Sequence, residues 1–329
     1  MLKRIDMNDC VRAQIQARGL SSVFDANETA AFARELEAIQ AGAIEKKFPA
    51  LVGATIVPIN GGLIFPGARS HTYREIDMWG KAELLEEFSL DDFPSAEVKG
   101  SEVTGKIRSF GAKYAYSFED LRAKPSLSWD PMLKREEMAR RAMEEKLDKL
   151  IMNATSGPFT GLLNDSNSQD DTTACGTPDI ETGVEATDVA TILKMFRTMV
   201  AQARIATKGT YNEFDFVVSL AVSIKLNLFV PSTTVGGGTT VADFLLNHVQ
   251  GVRSITTSPV LDGAGSGGKD RILAFPRDPE VLDCLVPIRF EQFAPQLDGM
   301  NFVTPCHGKY GGLRIFQPLA IRRCDVTVT

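Results

Sequence analysis

Cysteine is scarce in this chain: five residues in 329, none in a CxxC pair, which excludes a disulfide framework and a zinc knuckle. Long apolar runs are absent too, and the first twenty residues lack the apolar core of a secretory signal. The formal net charge is −6, so the chain lacks the excess of basic residues expected of a protein that binds nucleic acid over its whole surface. These absences predict a soluble protein with free thiols, made in the cytoplasm. The length of 329 residues suits about two domains.

Catalytic motifs are equally hard to find. The loop that begins at Gly265 (GSGGKD) lacks the GxxxxGK[ST] spacing of a phosphate-binding loop and is predicted to be a flexible hairpin loop. Of the three histidines, His71, His248 and His307, only His307 has a cysteine beside it, and adjacent strand residues point to opposite faces. We therefore predict a protein that is not an enzyme, with no catalytic residues, no cofactor and no metal.

The longest predicted helix runs from Pro131 to Asn153. It has no glycine, its one β-branched residue is Ile151, and more than half of its positions are charged. This pattern allows two interpretations, a solvated surface helix or a structural beam about 35 Å long. Its predicted apolar stripe consists of Met138, Ala142, Leu147, Leu150 and Ile151, with Met143 at the edge, and its predicted i,i+4 pairs are Glu136–Arg140, Glu137–Arg141 and Glu145–Lys149.

Other helices are predicted from apolar spacing over 28–47, 187–207, 223–229 and 241–248. The helix over 187–207 should bury Val189, Ile192, Leu193, Phe196, Met199 and Val200. Strands are predicted over 51–64, 214–220, 253–260, 271–275, 281–293 and 312–328, so that 187–275 forms an α/β unit.

A long two-stranded ribbon is predicted between the first strand and the long helix. Period-2 alternation appears near 72–78 and 101–117, and the intervening stretch from Glu83 to Glu102 contains seven carboxylates and one lysine. Ser117 and Asp120 then have the spacing of a helix start. A two-stranded ribbon is not stable alone in water, so it should pack on a neighbouring chain.

Three stretches together resemble the major capsid protein of tailed bacteriophages, which has the Hong Kong 97 fold. They are YSFEDLRAKPSLSWDPMLKREEMARRAMEEKLDKLIMN, TSGPFTGLLN, and the ending from Arg271 to Val328 that begins RILAFPRDPEVLDCLVPIRFEQFAPQ. The resemblance covers nearly the whole chain and implies an α+β fold. The implied parts are an N-terminal arm (1–53), an extended β-ribbon loop (54–105), a peripheral domain (106–186) with the spine helix 131–153, an axial α/β domain (187–286), and C-terminal strands returning to the peripheral domain (287–329).

The resemblance also implies a function. The chain would self-assemble, as pentamers and hexamers, into an icosahedral shell around double-stranded DNA held without sequence specificity. Scaffold, portal and decoration proteins are the further implied partners, no membrane is involved, and the implied location is the virion capsid, assembled in the host cytoplasm. About 50 residues before the first β segment leave no room for a fused scaffolding segment, and a cross-linking partner for Lys81 could not be matched.

Charged residues of the ribbon are the predicted contacts between subunits. A cation site at the acidic residues is the alternative interpretation of that cluster. Two alternatives to the phage shell also stay open, an encapsulin-like nanocompartment around a protein cargo and an unrelated soluble α/β enzyme. The predicted inter-subunit contact residues are Arg69, Arg74, Glu83, Glu86, Glu87, Asp91 and Asp92.

Overall fold

The computed structural model describes residues 47–62, 64–79, 97–124, 130–154, 157–176, 179–180, 186–227 and 239–328. The chain divides into two compact units, Lys47–Arg122 with Pro131–Thr329 and Met1–Lys46 with Ala123–Asp130. In the second unit, Lys124 and Asp130 form an ion pair of 2.6 Å. The helix predicted over 28–47 lies almost entirely outside the described residues.

The larger unit is mixed α+β. Its helices are α1 (Gly53–Ile56), α2 (Phe118–Ala123), α3 (Pro131–Met152), α4 (Ala186–Ala206), α5 (Leu220–Leu226) and α6 (Val241–His248). Its first eight strands are β1 (Ile59–Asn60), β2 (Ser70–Trp79), β3 (Glu97–Lys106), β4 (Arg108–Ser117), β5 (Gln169–Asp170), β6 (Asp179–Ile180), β7 (Phe214–Val218) and β8 (Val252–Thr257). The others are β9 (Asp270–Phe275), β10 (Leu282–Leu285), β11 (Ile288–Gln292), β12 (Gln296–Asp298), β13 (Asn301–Tyr310), β14 (Gly312–Ile315) and β15 (Arg322–Val328).

An α/β sheet forms within the predicted unit 187–275, but it also includes strands from outside that range. Strands β5, β15, β9, β7 and β8 lie in that order in one sheet, with β6 beside β15, and β7 is buried at every position. Helix α4 covers the sheet with a fully buried apolar face, because its apolar residues recur at helical spacing. All six residues predicted to face inward are buried: Val189, Ile192, Leu193, Phe196, Met199 and Val200.

The long helix α3 packs on a second, antiparallel sheet. In this sheet β4 pairs with β13 along ten consecutive residues, and β11 and β12 pair with β13. Ala139 and Met143 on α3 contact Cys306 on β13 in a small buried cluster. Further along the helix, Leu147, Ile151 and Met152 enter a larger core that also includes β9 and β10.

Several sequence predictions need correction. Residues 53–56 form α1 instead of strand, because Gly53 donates a backbone hydrogen bond of 2.6 Å to Asp148 and packs closely on α3. Strand β13 was missed, since Pro305 and Gly308 interrupt its alternation. The last strand, β15, pairs with β9 of the α/β sheet as well as with β5 and β6, which lie within 106–186.

The apolar stripe of α3 is also rotated from its predicted position. Ala139 and Met143 are buried, whereas Met138 and Ala142 are exposed, because the sheet and the core contact the adjacent face. The charged side chains make contacts other than the predicted pairs: Arg141 binds Glu145 at 3.1 Å, and Arg140 lies over the Phe290 ring. Neighbouring strands therefore determine the helix orientation more than its own charge spacing does.

Candidate assembly interface

Strands β2 and β3 form a two-stranded ribbon. Its register is continuous over ten pairs, from Ser70 opposite Lys106 to Trp79 opposite Glu97, and within the described ranges neither strand pairs with any other. Arg74 and Glu102 form a cross-strand ion pair of 2.8 Å. Cross-strand pairs contribute only about 0.2–1 kcal/mol each, so these contacts do not stabilise an isolated two-stranded ribbon. Its faces therefore need to pack on another surface.

The root of the ribbon is fixed to the body by stacked rings. His71 stacks on Tyr73, whose ring meets Phe316 edge-on at 5.4 Å, and the Arg314 guanidinium lies over both Tyr73 and Phe316. Arg314 also binds the buried carboxylate of Asp283. Burial, followed by the nearby Arg314 charge, lowers the pKa of His71, so its ring is neutral at pH 7. The root of the ribbon is therefore packed, through Tyr73, against Arg314 and Phe316 of the body.

The far end of the ribbon carries an exposed apolar patch. Ile76, Met78 and Val98 lie on one face and are 59%, 76% and 67% exposed. Residue 100, opposite Ile76, is a glycine and adds no side chain to cover it. Contiguous exposed apolar surface of this kind marks a site of protein association, so this end is the candidate interface with another subunit.

The GLLN motif closes the C-terminus of α3. Leu162 and Leu163 donate backbone hydrogen bonds of 2.9 Å to the carbonyls of Ile151 and Met152, two of the acceptors that a helix end leaves free. Their side chains are buried in the core. Gly161 is required because a Cβ there would lie 2.4 Å from the backbone nitrogen of Ala154. The turn thus joins the long helix to the rest of the chain rigidly.

A buried ion pair connects this turn to the α/β sheet. Arg271 on β9 binds Asp325 on β15 at 2.6 Å and donates to the Leu163 carbonyl at 2.9 Å, and the Ser266 amide donates to Asp325. Burial disfavours the ionised form of Asp325, but the hydrogen bonds from Arg271 and Ser266 outweigh it and hold its pKa below the usual value. The loop GSGGKD is therefore held in place by Asp325, and this hub was not predicted from sequence.

The predicted contact residues are only partly described by the structure. Arg74 is exposed and pairs with Glu102 in its own subunit, while the backbone carbonyl of Arg69 accepts a hydrogen bond from Ile107 and its side chain is exposed. Five predicted residues lie outside the described residues: Glu83, Glu86, Glu87, Asp91 and Asp92.

The residues considered for catalysis lie apart from one another. Cys306 is buried against α3, whereas His307 faces the other side of β13, with its Nδ1 atom 3.8 Å from Glu291. In the part of the chain that the structure describes, no group of three or more metal-ligating side chains is assembled. No helix in that part is long and apolar enough to cross a membrane.

Comparisons with known proteins agree with this architecture. A family model described as "Major capsid protein" matches residues 80–326, more than half of the chain. The solved capsid of the Myoviridae phage XM1 superimposes with a TM-score of 0.71 at 15% identity, covering 89% of this chain and 98% of that one. A structure from Gordonia phage Cozz has a TM-score of 0.57 at 14% identity, covering 95% and 93% of the two chains.

A structure from Mycobacterium phage Ogopogo also has a TM-score of 0.57 at 14% identity, covering 87% of this chain and 94% of that one. No curated protein sequence matches the chain significantly. The structural matches share the α+β arrangement at low identity and show a common fold of the Hong Kong 97 type. The family model and these matches agree that the chain is a structural subunit of a capsid shell, and it belongs to the major capsid protein family.

Proposed function

We propose that this protein assembles, as pentamers and hexamers, into an icosahedral shell that encloses the double-stranded DNA of a tailed phage. The observation that carries the proposal is the ribbon of β2 and β3, which has an apolar far end and no third strand among the described residues. Shell formation supplies the missing cover, because each copy presents its ribbon to the next around a symmetry axis.

The parts of the chain then take separate roles in the shell. Residues 1–53 act as an arm, 54–105 as the extended loop, 106–186 as the peripheral domain, 187–286 as the axial domain around the symmetry axes, and 287–329 as the C-terminal strands. The firm connection of α3 to the GLLN turn and to β4 and β13 supports a spine role for that helix. In the shell the protein acts as a structural subunit and not as an enzyme.

The proposed partners follow from the same role. The shell holds DNA through its phosphates and without reading sequence, and scaffold, portal and decoration proteins join it during assembly in the host cytoplasm. The charged ribbon residues, including Arg69 and Arg74, contribute ion pairs between subunits.

Electron microscopy of the purified protein tests the proposal. We expect closed particles tens of nanometres across, because a shell subunit buries thousands of Å² against its neighbours. Particles isolated from infected cells should contain double-stranded DNA. A chain that stays monomeric at all salt concentrations and pH values, with or without phage lysate, contradicts the proposal, and particles filled with a protein cargo indicate a nanocompartment instead.

Replacing Val98 with glutamate should reduce the yield of particles at least tenfold. The substitution places a charge in the exposed apolar patch, where a neighbouring subunit would have to bury it without a partner. Since Val98 is exposed in the isolated chain, the free energy of unfolding should change by no more than about 0.5 kcal/mol. Particle yield is measured by sedimentation and stability by urea unfolding.

The matched control is Thr104→Glu, which adds the same charge on the same strand but away from the apolar patch, opposite Thr72 and not opposite a carboxylate. It should assemble at close to the wild-type yield. Equal losses for both variants would mean that ribbon charge in general, and not the apolar patch, determines assembly.

A further inference from the structure

A pocket with a basic rim lies between α3 and the start of β4. Its volume is about 380 Å³, within the range of small-ligand and side-chain pockets. Leu150, Phe159 and Tyr310 form its apolar floor, with the rings of Phe159 and Tyr310 edge-on at 4.9 Å. Arg108 on β4 and Lys146 on α3 stand at its rim. The pocket thus suits an apolar side chain that is accompanied by negative charge.

The two rim cations have no counter-charge among the residues that the structure describes. Both side chains are exposed, and neither forms an ion pair with any residue that the structure describes. By contrast, Arg141 on the same helix binds Glu145, and Arg135 binds Asp120 at 2.7 Å. Two unpaired cations beside an open apolar cavity attract an acidic partner and reject a basic one.

The chain contains one segment with the complementary chemistry. Residues 83–93, ELLEEFSLDDF, carry five carboxylates, no basic residue and two phenylalanines, Phe88 and Phe93. The segment begins a few residues beyond Trp79, the last residue of β2, at the far end of the ribbon. It is therefore carried at the same end as the exposed apolar patch.

Chain length favours a second copy over the segment's own subunit. Arg108 follows the root of the ribbon by two residues, and the ten-residue strands place their far end about 30 Å from that root. Residues 80–96 start and finish at the far end, so each half has only eight or nine residues. Each half would have to be fully extended, at about 3.3–3.6 Å per residue, for the segment to return to the pocket of its own subunit.

We propose that the pocket between α3 and β4 binds segment 83–93 of a second copy of this chain. A phenylalanine of the segment fills the apolar floor, and the flanking carboxylates pair with Arg108 and Lys146. The proposal rests on the shell function proposed above and identifies where the ribbon of one subunit docks on the next. It also assigns the partners of Glu86 and Glu87, whose contacts were predicted from sequence without partners.

Binding of an isolated peptide tests the pocket without requiring assembly. A fluorescent peptide of residues 81–95 is titrated into the full-length, unassembled chain, with fluorescence anisotropy as the readout. We expect saturable binding that weakens at least tenfold in Lys146→Glu and in Arg108→Glu. The control Lys113→Glu makes the same charge change at an exposed site on β4 outside the pocket and should bind like wild type.

Two outcomes overturn the docking proposal in this assay. One is the absence of saturable binding by the peptide. The other is equal weakening by Lys113→Glu and Lys146→Glu, which would show a general charge effect. A peptide with Glu86 and Glu87 changed to lysine should not bind, and its binding as tightly as the native peptide also contradicts the proposal.

Disulfide trapping in the assembled state identifies which copy supplies the segment. Variants Glu87→Cys and Lys146→Cys, each in a Cys10→Ser background, are mixed, assembled and oxidised with diamide. The four other cysteines are buried, so they should not form cross-links under the same oxidation. We expect a cross-linked dimer from the mixture and none when Lys113→Cys replaces Lys146→Cys.

The results separate this proposal from the shell function. Particles without a cross-linked dimer leave the shell function intact and overturn the docking site. A cross-link within a single chain of the double variant, without dimer, shows that the segment occupies its own pocket and contradicts docking on a second copy. Failure to form particles contradicts the shell function, while the peptide titration still decides the pocket.

Discussion

Replacing Gly161 with alanine should destabilise the unassembled chain by about 3–5 kcal/mol. A Cβ at this position would lie 2.4 Å from the nitrogen of Ala154 and 2.7 Å from the carbonyl oxygen of Met152, which are backbone atoms and cannot rotate away. The turn would have to lift from the helix, breaking the hydrogen bonds of Leu162 and Leu163 and exposing both side chains. Urea unfolding measures the loss.

Gly62→Ala is the matched control. No atom lies within 4 Å of a Cβ built at Gly62, so the same added methyl group should change the free energy of unfolding by no more than about 0.5 kcal/mol. If Gly161→Ala unfolds at the same urea concentration as Gly62→Ala, the GLLN turn does not depend on close approach of its backbone to the helix end. Particle assembly of Gly161→Ala should fail together with its stability, because α3 loses its fixed end.

The elements that could be predicted from sequence are those whose signals are local. Helix α4 was identified to within a residue at each end, because its buried residues recur at helical spacing along a single face. The start of α2 was identified from Ser117 and Asp120, whose side chains and amides exchange hydrogen bonds of 3.0 and 3.1 Å. Both patterns depend only on residues within a few positions of each other.

The features that were missed depend on distant partners. Strand β13 has Pro305 and Gly308 inside it, and its pairing with β4 joins residues almost 200 positions apart. The short helix α1 depends on Asp148, whose carboxylate accepts the Gly53 amide and whose pKa is raised chiefly by burial. No local pattern encodes such contacts.

The candidate interface was predictable in outline but not in detail. The need for a neighbour followed from a two-stranded ribbon, and a ribbon is present. Its second strand is β3, whereas most of the stretch predicted over 101–117 is β4, which leaves the ribbon and pairs with β13. The rim cations of the pocket were overlooked because Arg108 and Lys146 are far apart in sequence and look like ordinary surface residues. Their significance comes from the fold, which places both beside Phe159 and leaves them without a partner among the described residues.

Replacing Asp325 with asparagine should cost about 3–5 kcal/mol at pH 7, the usual penalty for removing one partner of a buried ion pair. The side chains of Arg271 and Asp325 are only 10% and 3% exposed, so the remaining Arg271 charge would be left without compensation. The matched control is Glu102→Gln, which breaks the Arg74–Glu102 pair. Those side chains are 77% and 59% exposed, and such pairs contribute at most about 1 kcal/mol.

The pH dependence of the same variant distinguishes loss of charge from loss of packing. Because the pKa of Asp325 is lower in the folded chain than its ordinary value of 3.8, its ionised form contributes stability that is fully present above that value. This contribution is lost as the pH falls through the folded pKa. Urea unfolding should therefore show a constant difference between wild type and Asp325→Asn from pH 7 to about 5 and a shrinking one below pH 3.8. A difference that stays the same down to pH 2 would mean that shape, and not the charge on Asp325, holds the hub between the GLLN turn and the α/β sheet together.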